Sequence, residues 1–217
     1  MATINERMQK YYSGNDKSVT INACTGHFAT PQAHLNYLVD VTRLKIRINE
    51  AHEAAKALKY QLLYQVNSVD SVVCLDDMDV VGSFLAYELD KGDFTNNNQH
   101  ETVYVVHPDE NSLHQFMYRE SNRIAVQGKS VLMLVDTITT GTTIQRAIEC
   151  TQYYGGNVVG VCTIFSDIDS IMGKKIYSIF RPKDLPGFES HDPQNCPFCA
   201  KKIPVEAMIS GYGYVTL

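Results

Sequence analysis

Val131-Leu132-Met133-Leu134-Val135-Asp136 runs directly into Thr137-Ile138-Thr139-Thr140-Gly141-Thr142-Thr143, and this junction decides how the chain is read. The consecutive apolar residues fit a strand buried on both faces. Residues 144–154 then carry apolar side chains at helical spacing. Between strand and helix, Thr139, Thr140, Gly141, Thr142 and Thr143 are too small and polar to form a core. A turn from a strand's carboxyl end into a helix N-terminus presents free N–H groups at the positive end of the helix dipole. Such a turn is an anion site. The hydroxyls add donors, and Gly141 lets the backbone curl close to a ligand. An ordinary threonine-rich turn is the alternative reading.

Outward from this junction, apolar strands are expected over 71–75, 102–107, 157–165 and 175–180. Helices are expected over 50–65 and from the Asp76-Asp77-Met78-Asp79 cluster through Leu89, where an aspartate would serve as helix start. Weaker strands are read over 18–23 and 36–41, an edge strand over 115–118, and loops over 91–99 and 119–129. Gly155-Gly156 stops the helix that follows the junction. Strands alternating with helices imply an α/β fold, an open parallel twisted sheet with helices on both faces and ligands beyond the strands' carboxyl ends. Residues 1–69 are read as an N-terminal hood segment with a long helix, 70–182 as the core, and 183–217 as a tail packed on the hood.

Composition narrows the classes. With 44% hydrophobic and 20% charged residues, the chain is globular rather than disordered. A net charge of −5 without basic–aromatic clusters argues against a nucleic-acid partner. No apolar run reaches the roughly twenty residues of a membrane span, and the N-terminus lacks a signal-peptide core. Scattered cysteines suit reduced thiols, so a cytoplasmic location is expected.

Four apolar positions, an acidic slot and Thr-Ile-Thr-Thr-Gly-Thr-Thr closely resemble the phosphoribosyl-pyrophosphate (PRPP) signature of type I phosphoribosyltransferases. The resemblance implies that the 139–143 loop holds the ribose 5-phosphate, with Thr137 beside it, and that Asp136 faces the ribose hydroxyls. It further implies Mg²⁺ bound with PRPP, a nitrogenous base as second substrate, and a homodimer. Within the family the chain looks most like the orotate phosphoribosyltransferases. Its N-terminal order fits theirs, and Tyr118-Arg119-Glu120 resembles the segment before their mobile loop. By that match Arg119 contacts the pyrophosphate, which its permanent charge and planar fork suit. A solvated loop arginine is the alternative. Asp136 and Arg119 are the candidate catalytic residues, and Asp76 and Asp77 occupy the pyrophosphate-loop position.

The chain also departs from that pattern. Val135 stands where the family carries the first of two acidic residues. The mobile-loop position, 121–129, is short and holds only Arg123 and Lys129 as cations. Carboxylates fill a loop that is usually small and glycine-rich; like charges about 4 Å apart repel by about 4 kcal/mol at an effective dielectric of 20. Gln145 replaces the arginine that would meet orotate's carboxylate, with Arg146 about 100° round the helix.

A second feature is His191-Asp-Pro-Gln-Asn-Cys196-Pro-Phe-Cys199. Cys-x-x-Cys around a proline turn aims two thiolates at one metal, half of a zinc site. His191 is a candidate third ligand, and Cys24 and His27, spaced Cys-x-x-His, are candidates for the remainder. A free cysteine pair in a surface tail is the alternative. Cys74, Cys150 and Cys162 lie in apolar patterns and read as core, and Tyr153 and Tyr154 as packing.

Two functions stand out: a Mg²⁺-dependent phosphoribosyltransferase resembling the orotate enzymes, and a non-catalytic PRPP or nucleotide-binding regulator on the same scaffold. A zinc-knuckle nucleic-acid binder is disfavoured by the charge.

Overall fold

A computed structural model describes residues 2–91, 94, 95, 98, 102–113 and 115–217. The chain opens with a short helix α1 (Ile4–Arg7), then strands β1 (Gln9–Tyr12), β2 (Thr20–Ala29) and β3 (His34–Asp40). Helices α2 (Thr42–Ile46) and α3 (Ile48–Leu62) lead into the core. On α3, Ala51, Ala54, Ala55, Leu58 and Leu62 recur at helical spacing and are all buried, so this amphipathic helix lies half in the core.

Next come β4 (Ser71–Cys74), α4 (Asp79–Asp90) and β5 (Tyr104–Val106), then a two-stranded ribbon of β6 (Asp109–Glu110) and β7 (Phe116–Met117). The expected edge strand at 115–118 therefore pairs within this ribbon and not with the main sheet. The expected loop at 119–129 contains a 3-10 helix, Glu120–Ala125. Of the loop at 91–99, residues 92, 93, 96, 97 and 99 lie outside the described residues. The junction read from sequence forms β8 (Ser130–Ile138) and α5 (Thr142–Tyr153), followed by β9 (Asn157–Ser166), β10 (Ser170–Ile171) and β11 (Lys174–Phe180).

The main sheet runs β10-β11-β9-β8-β4-β5, parallel throughout except for β10. Alternation along β8 explains its two-sided burial. Leu132 and Leu134 join one core cluster with α3 and α4 residues, while Val131, Met133 and Val135 join another with Ile144 and Ile148 of α5. Helices thus cover both faces, as an α/β fold requires. The chain proceeds from β4 outward to β5, then returns across β4 to β8. The order reverses between β4 and β8, and ligands of open α/β sheets settle at such a switch point.

The tail is more ordered than the sequence suggested. It contains β12 (Ser190–His191), α6 (Pro197–Ala200) and a hairpin of β13 (Ala207–Ser210) and β14 (Gly213–Thr216). These strands join the N-terminal ones in a second sheet, β12-β3-β2-β13-β14, with β1 and β13 sharing one edge of β2. Two exposures differ from expectation: Tyr153 is solvent-exposed rather than packed, and Cys150 is only half-buried. Among the described residues, no helix is long and apolar enough to cross a membrane.

Candidate functional site

The carboxyl ends of β4 and β8 open into a cleft of about 290 Å³, close to the small end of the usual ligand-pocket range. Asp136, Thr137, Thr139, Thr140, Gly141, Thr142 and Thr143 all line it. Gly141 sits at the helix cap with φ of 82°, a left-handed conformation that favours glycine. A Cβ there would lie 2.7 Å from Ile171 Cδ1, so a side chain would have to push the ends of Ile171 and Ile168 aside. No side chain caps α5, which leaves its first-turn N–H groups directed at the cleft end of the helix. Arg146 also lines the cleft. It lies three and four residues beyond Thr143 and Thr142, on the helix face that continues the loop. Gln145 turns instead to Glu149, with Nε2 donating to Oε1 at 3.0 Å.

Asp136 is buried, and Lys45 of α2 donates to its Oδ2 at 2.9 Å. The same ammonium donates to the carbonyl of Gly211, in the turn between β13 and β14. The Thr137 N–H donates to Asp136 Oδ1. Asp76, at the end of β4, shares a hydrogen bond with Asp136 and is pushed up to about 8, first by burial and then by the Asp136 charge. Burial also raises Asp136, opposed by Lys45 and by the Thr137 N–H. At neutral pH Asp76 is therefore mostly protonated where it meets Asp136.

The acidic loop is resolved by this arrangement. Asp76 and Asp77 both adopt left-handed φ, 52° and 58°, which aspartate tolerates better than most residues. Neither caps α4, where Met78 occupies the cap; the expected aspartate at the helix start is Asp79, the first residue of the helix, 3.1 Å from His107 Nδ1. Asp76 lines the cleft and Asp77 is exposed. The three carboxylates thus do not converge on one point.

Other expected site residues stand elsewhere. Arg119 is exposed and bound to Asp109 through Nε at 2.6 Å, on the β6–β7 ribbon rather than in the cleft lining. Lys45, Gly211 and Tyr212 went unnoticed in the sequence; the last two line the cleft, as do Thr30, Pro31 and Gln32 from the β2–β3 turn. The β2–β3 and β13–β14 turns of the second sheet therefore share this cleft with the 139–143 loop.

A separate group gathers His27, His34, Cys196 and Cys199, four residues that could hold a metal, with donor atoms within 4.8 Å of one another. Three of the five expected ligands are present, and His34 is an addition. Cys24 is not in the group: it packs with Phe28 and Leu38. Cys24 lies opposite Leu38 on β3, before the irregularity in β2 between Thr25 and Phe28, and faces this apolar cluster instead of the histidines. His191 is also outside it, with Nε2 3.1 Å from Glu189 Oε2.

No family model matches the chain. It is 32% identical over 97 residues to an orotate phosphoribosyltransferase of Desulforamulus reducens, covering 41% of this chain and 49% of the relative. It is 36% identical over 83 residues to that of Thermotoga maritima, covering 36% and 41%. The chain thus spans less than half the length of these relatives. Among solved structures, Mycobacterium tuberculosis orotate phosphoribosyltransferase aligns with a TM-score of 0.50 at 20% identity, over 70% of this chain and 85% of that one. A Corynebacterium diphtheriae phosphoribosyltransferase aligns with a TM-score of 0.50 at 20% identity, over 73% and 89%. Leishmania donovani UMP synthase aligns with the same score at 16% identity, over 69% and 31%. The chain is a distant relative of the orotate phosphoribosyltransferases, built on the type I phosphoribosyltransferase fold.

Proposed function

We propose that the cleft binds PRPP with Mg²⁺ and transfers its ribose 5-phosphate to a nitrogenous base. The observation that carries this reading is the uncapped α5 terminus and 139–143 loop beside a buried Asp136 at the β4/β8 switch point. The 5-phosphate would sit on the loop's N–H and hydroxyl donors. Asp136, whose charged form Lys45 favours by donating to it, would face the ribose and stabilise positive charge developing at the anomeric carbon. Asp76 and Asp136 offer the oxygen donors that a hard cation prefers, and Asp76 can give up its proton to one. Bound with PRPP, Mg²⁺ would neutralise the departing pyrophosphate oxygens. Arg119 would reach the pyrophosphate only by leaving Asp109.

A second reading, a non-catalytic PRPP or nucleotide-binding regulator, is favoured by one observation. Val135, in the slot of a second acid, is 1% exposed and packed in the core, so a single carboxylate serves the ribose. Calorimetric titration with Mg²⁺ and PRPP, with Asp136→Ala as control, tests the shared claim. Binding in the micromolar range that the variant loses supports the site, and no heat from the wild type rejects both readings. Base-dependent pyrophosphate release then separates enzyme from regulator.

A further inference from the structure

His27 and His34 flank the β2–β3 hairpin turn, and Cys196 and Cys199 bracket the start of α6. His27 Nε2 lies 3.0 Å from His34 Nδ1, 3.5 Å from Cys196 Sγ and 3.8 Å from Cys199 Sγ, and Cys199 Sγ lies 3.3 Å from His34 Nδ1. A tetrahedral zinc ion, with bonds of about 2.3 Å to sulfur and 2.0–2.1 Å to nitrogen, holds its donors roughly 3.3–3.8 Å apart. The spacing fits. So does the surrounding bonding: His27 Nδ1 lies 2.8 Å from the Ile203 carbonyl, which can only accept, so the N–H sits on Nδ1 and Nε2 is left bare toward the group. Phe198 stacks on the His27 ring with centroids 5.3 Å apart, and His27 and Cys196 are 1% and 3% exposed. Two thiolates and two imidazoles, with His27 and Cys196 buried and Cys199 at the exposed side, select zinc over oxygen-loving cations.

We propose that His27, His34, Cys196 and Cys199 bind one structural zinc ion that fastens the C-terminal tail to the β2–β3 hairpin and thereby holds the far wall of the cleft. Binding converts two thiols to thiolates and releases two protons; no oxidant or reductant takes part. The chain between the cysteines and the cleft is short and tied to the same strand. Ile203 meets His27, the Glu206 N–H donates to the His27 carbonyl at 2.8 Å, and β13 pairs with β2 at Phe28 and Ala29. Four residues beyond Ala207, Gly211 accepts from Lys45, and a Cβ on it would fall 2.1 Å from Asp76 Oδ1. Zinc at one end of this segment sets how firmly the other end covers the cleft.

The test begins with metal content of the full chain expressed with zinc in the medium, together with a thiol count. About one zinc per chain is expected, lost in Cys199→Ser and in His34→Ala. Because misfolding of either variant would also lose the metal, the wild type is stripped with a chelator and titrated with Co²⁺, which should give the thiolate-to-cobalt absorption of a tetrahedral site. Stripping should speed proteolysis within 183–217 while leaving the core sheet intact, and zinc should reverse it. Absence of both zinc and the cobalt band, a Cys196–Cys199 disulfide, or stoichiometric iron in place of zinc would overturn the assignment. The coupling to the cleft rests on the proposed PRPP site and is read separately, as weaker Mg²⁺–PRPP binding by the stripped protein. Unchanged binding alongside a cleaved tail would refute the coupling. If the zinc-loaded protein binds no PRPP, the fault lies with the cleft reading, and metal content and proteolysis still decide the zinc site.

Discussion

Replacing Lys45 with methionine tests the electrostatics of the cleft directly. Lys45 Nζ lies 2.9 Å from Asp136 Oδ2, and the two side chains are only 8% and 7% exposed. At that distance the attraction is about 6 kcal/mol at an effective dielectric of ~20. Most of it offsets desolvation, so the pair's net contribution is small, but removing one partner strands the other charge. The variant's escape is to protonate Asp136. For a carboxyl with an unfolded pKa of about 3.9, holding that proton at pH 7 costs about 4 kcal/mol, a ceiling on the loss. For a chain of this size that is a fall in melting temperature of about 8–16 °C. The variant's Asp136 has a folded pKa above its unfolded value. Relative to the wild type, whose Asp136 is itself raised by burial, its deficit is absent below the wild-type folded pKa, grows above it by about 1.4 kcal/mol per pH unit, and levels off once the variant's folded pKa is passed. Urea unfolding of wild type and Lys45→Met between pH 5 and 8 would show this, and Asp136→Asn added to Lys45→Met should recover most of the loss. A deficit below about 1 kcal/mol at pH 7, or one independent of pH, would mean that Asp136 is solvated and the buried network does not exist.

Asp76, raised to about 8 by burial and Asp136, takes up its proton more readily folded than unfolded, so wild-type stability should fall as pH rises from about 4 toward 8. Asp76→Asn should flatten that slope in urea midpoints, and Mg²⁺–PRPP affinity of the wild type should rise with pH up to about 8, because binding the cation displaces the Asp76 proton. Gly141→Ala puts a Cβ at a positive φ and 2.7 Å from Ile171 Cδ1; a loss of about 1–2 kcal/mol and of PRPP binding is expected, read by urea unfolding and calorimetry. Gly211→Ala drives a methyl into the Asp76 carboxyl, which should cost about 1–3 kcal/mol in thermal unfolding; no change would mean that the turn does not rest on Asp76.

What the sequence revealed and what it concealed differ by range. The 139–143 loop was legible because strand, turn and helix start are contiguous, so their chemistry is written in order. Arg146 was half legible: helical spacing from Thr142 and Thr143 puts it on the loop's face, although the family pattern drew attention to Gln145. Lys45 carried no local signal. It sits in a five-residue helix among Thr42, Arg43, Leu44 and Ile46, and only the packing of the second sheet on the first brings it to Asp136. His34 was hidden for the same reason, since its partners lie across a hairpin and at the far end of the chain. Which aspartate of 76–79 starts the helix and which turns into the cleft was not legible, because the left-handed backbone at Asp76 and Asp77 leaves no trace in composition.

The shared edge of β2 has a bearing on how the chain is made. β1 occupies one half of that edge as soon as the N-terminal segment emerges from the ribosome, but β13 fills the other half only after the main sheet has been synthesised. During that interval the nascent chain exposes open strand edge at Phe28 and Ala29, a template for mispairing with another copy. Pairings between distant segments are also the slow ones to form. Defects in the tail should therefore first appear as poor yield and aggregation during expression, before any fault can be measured in the protein that survives.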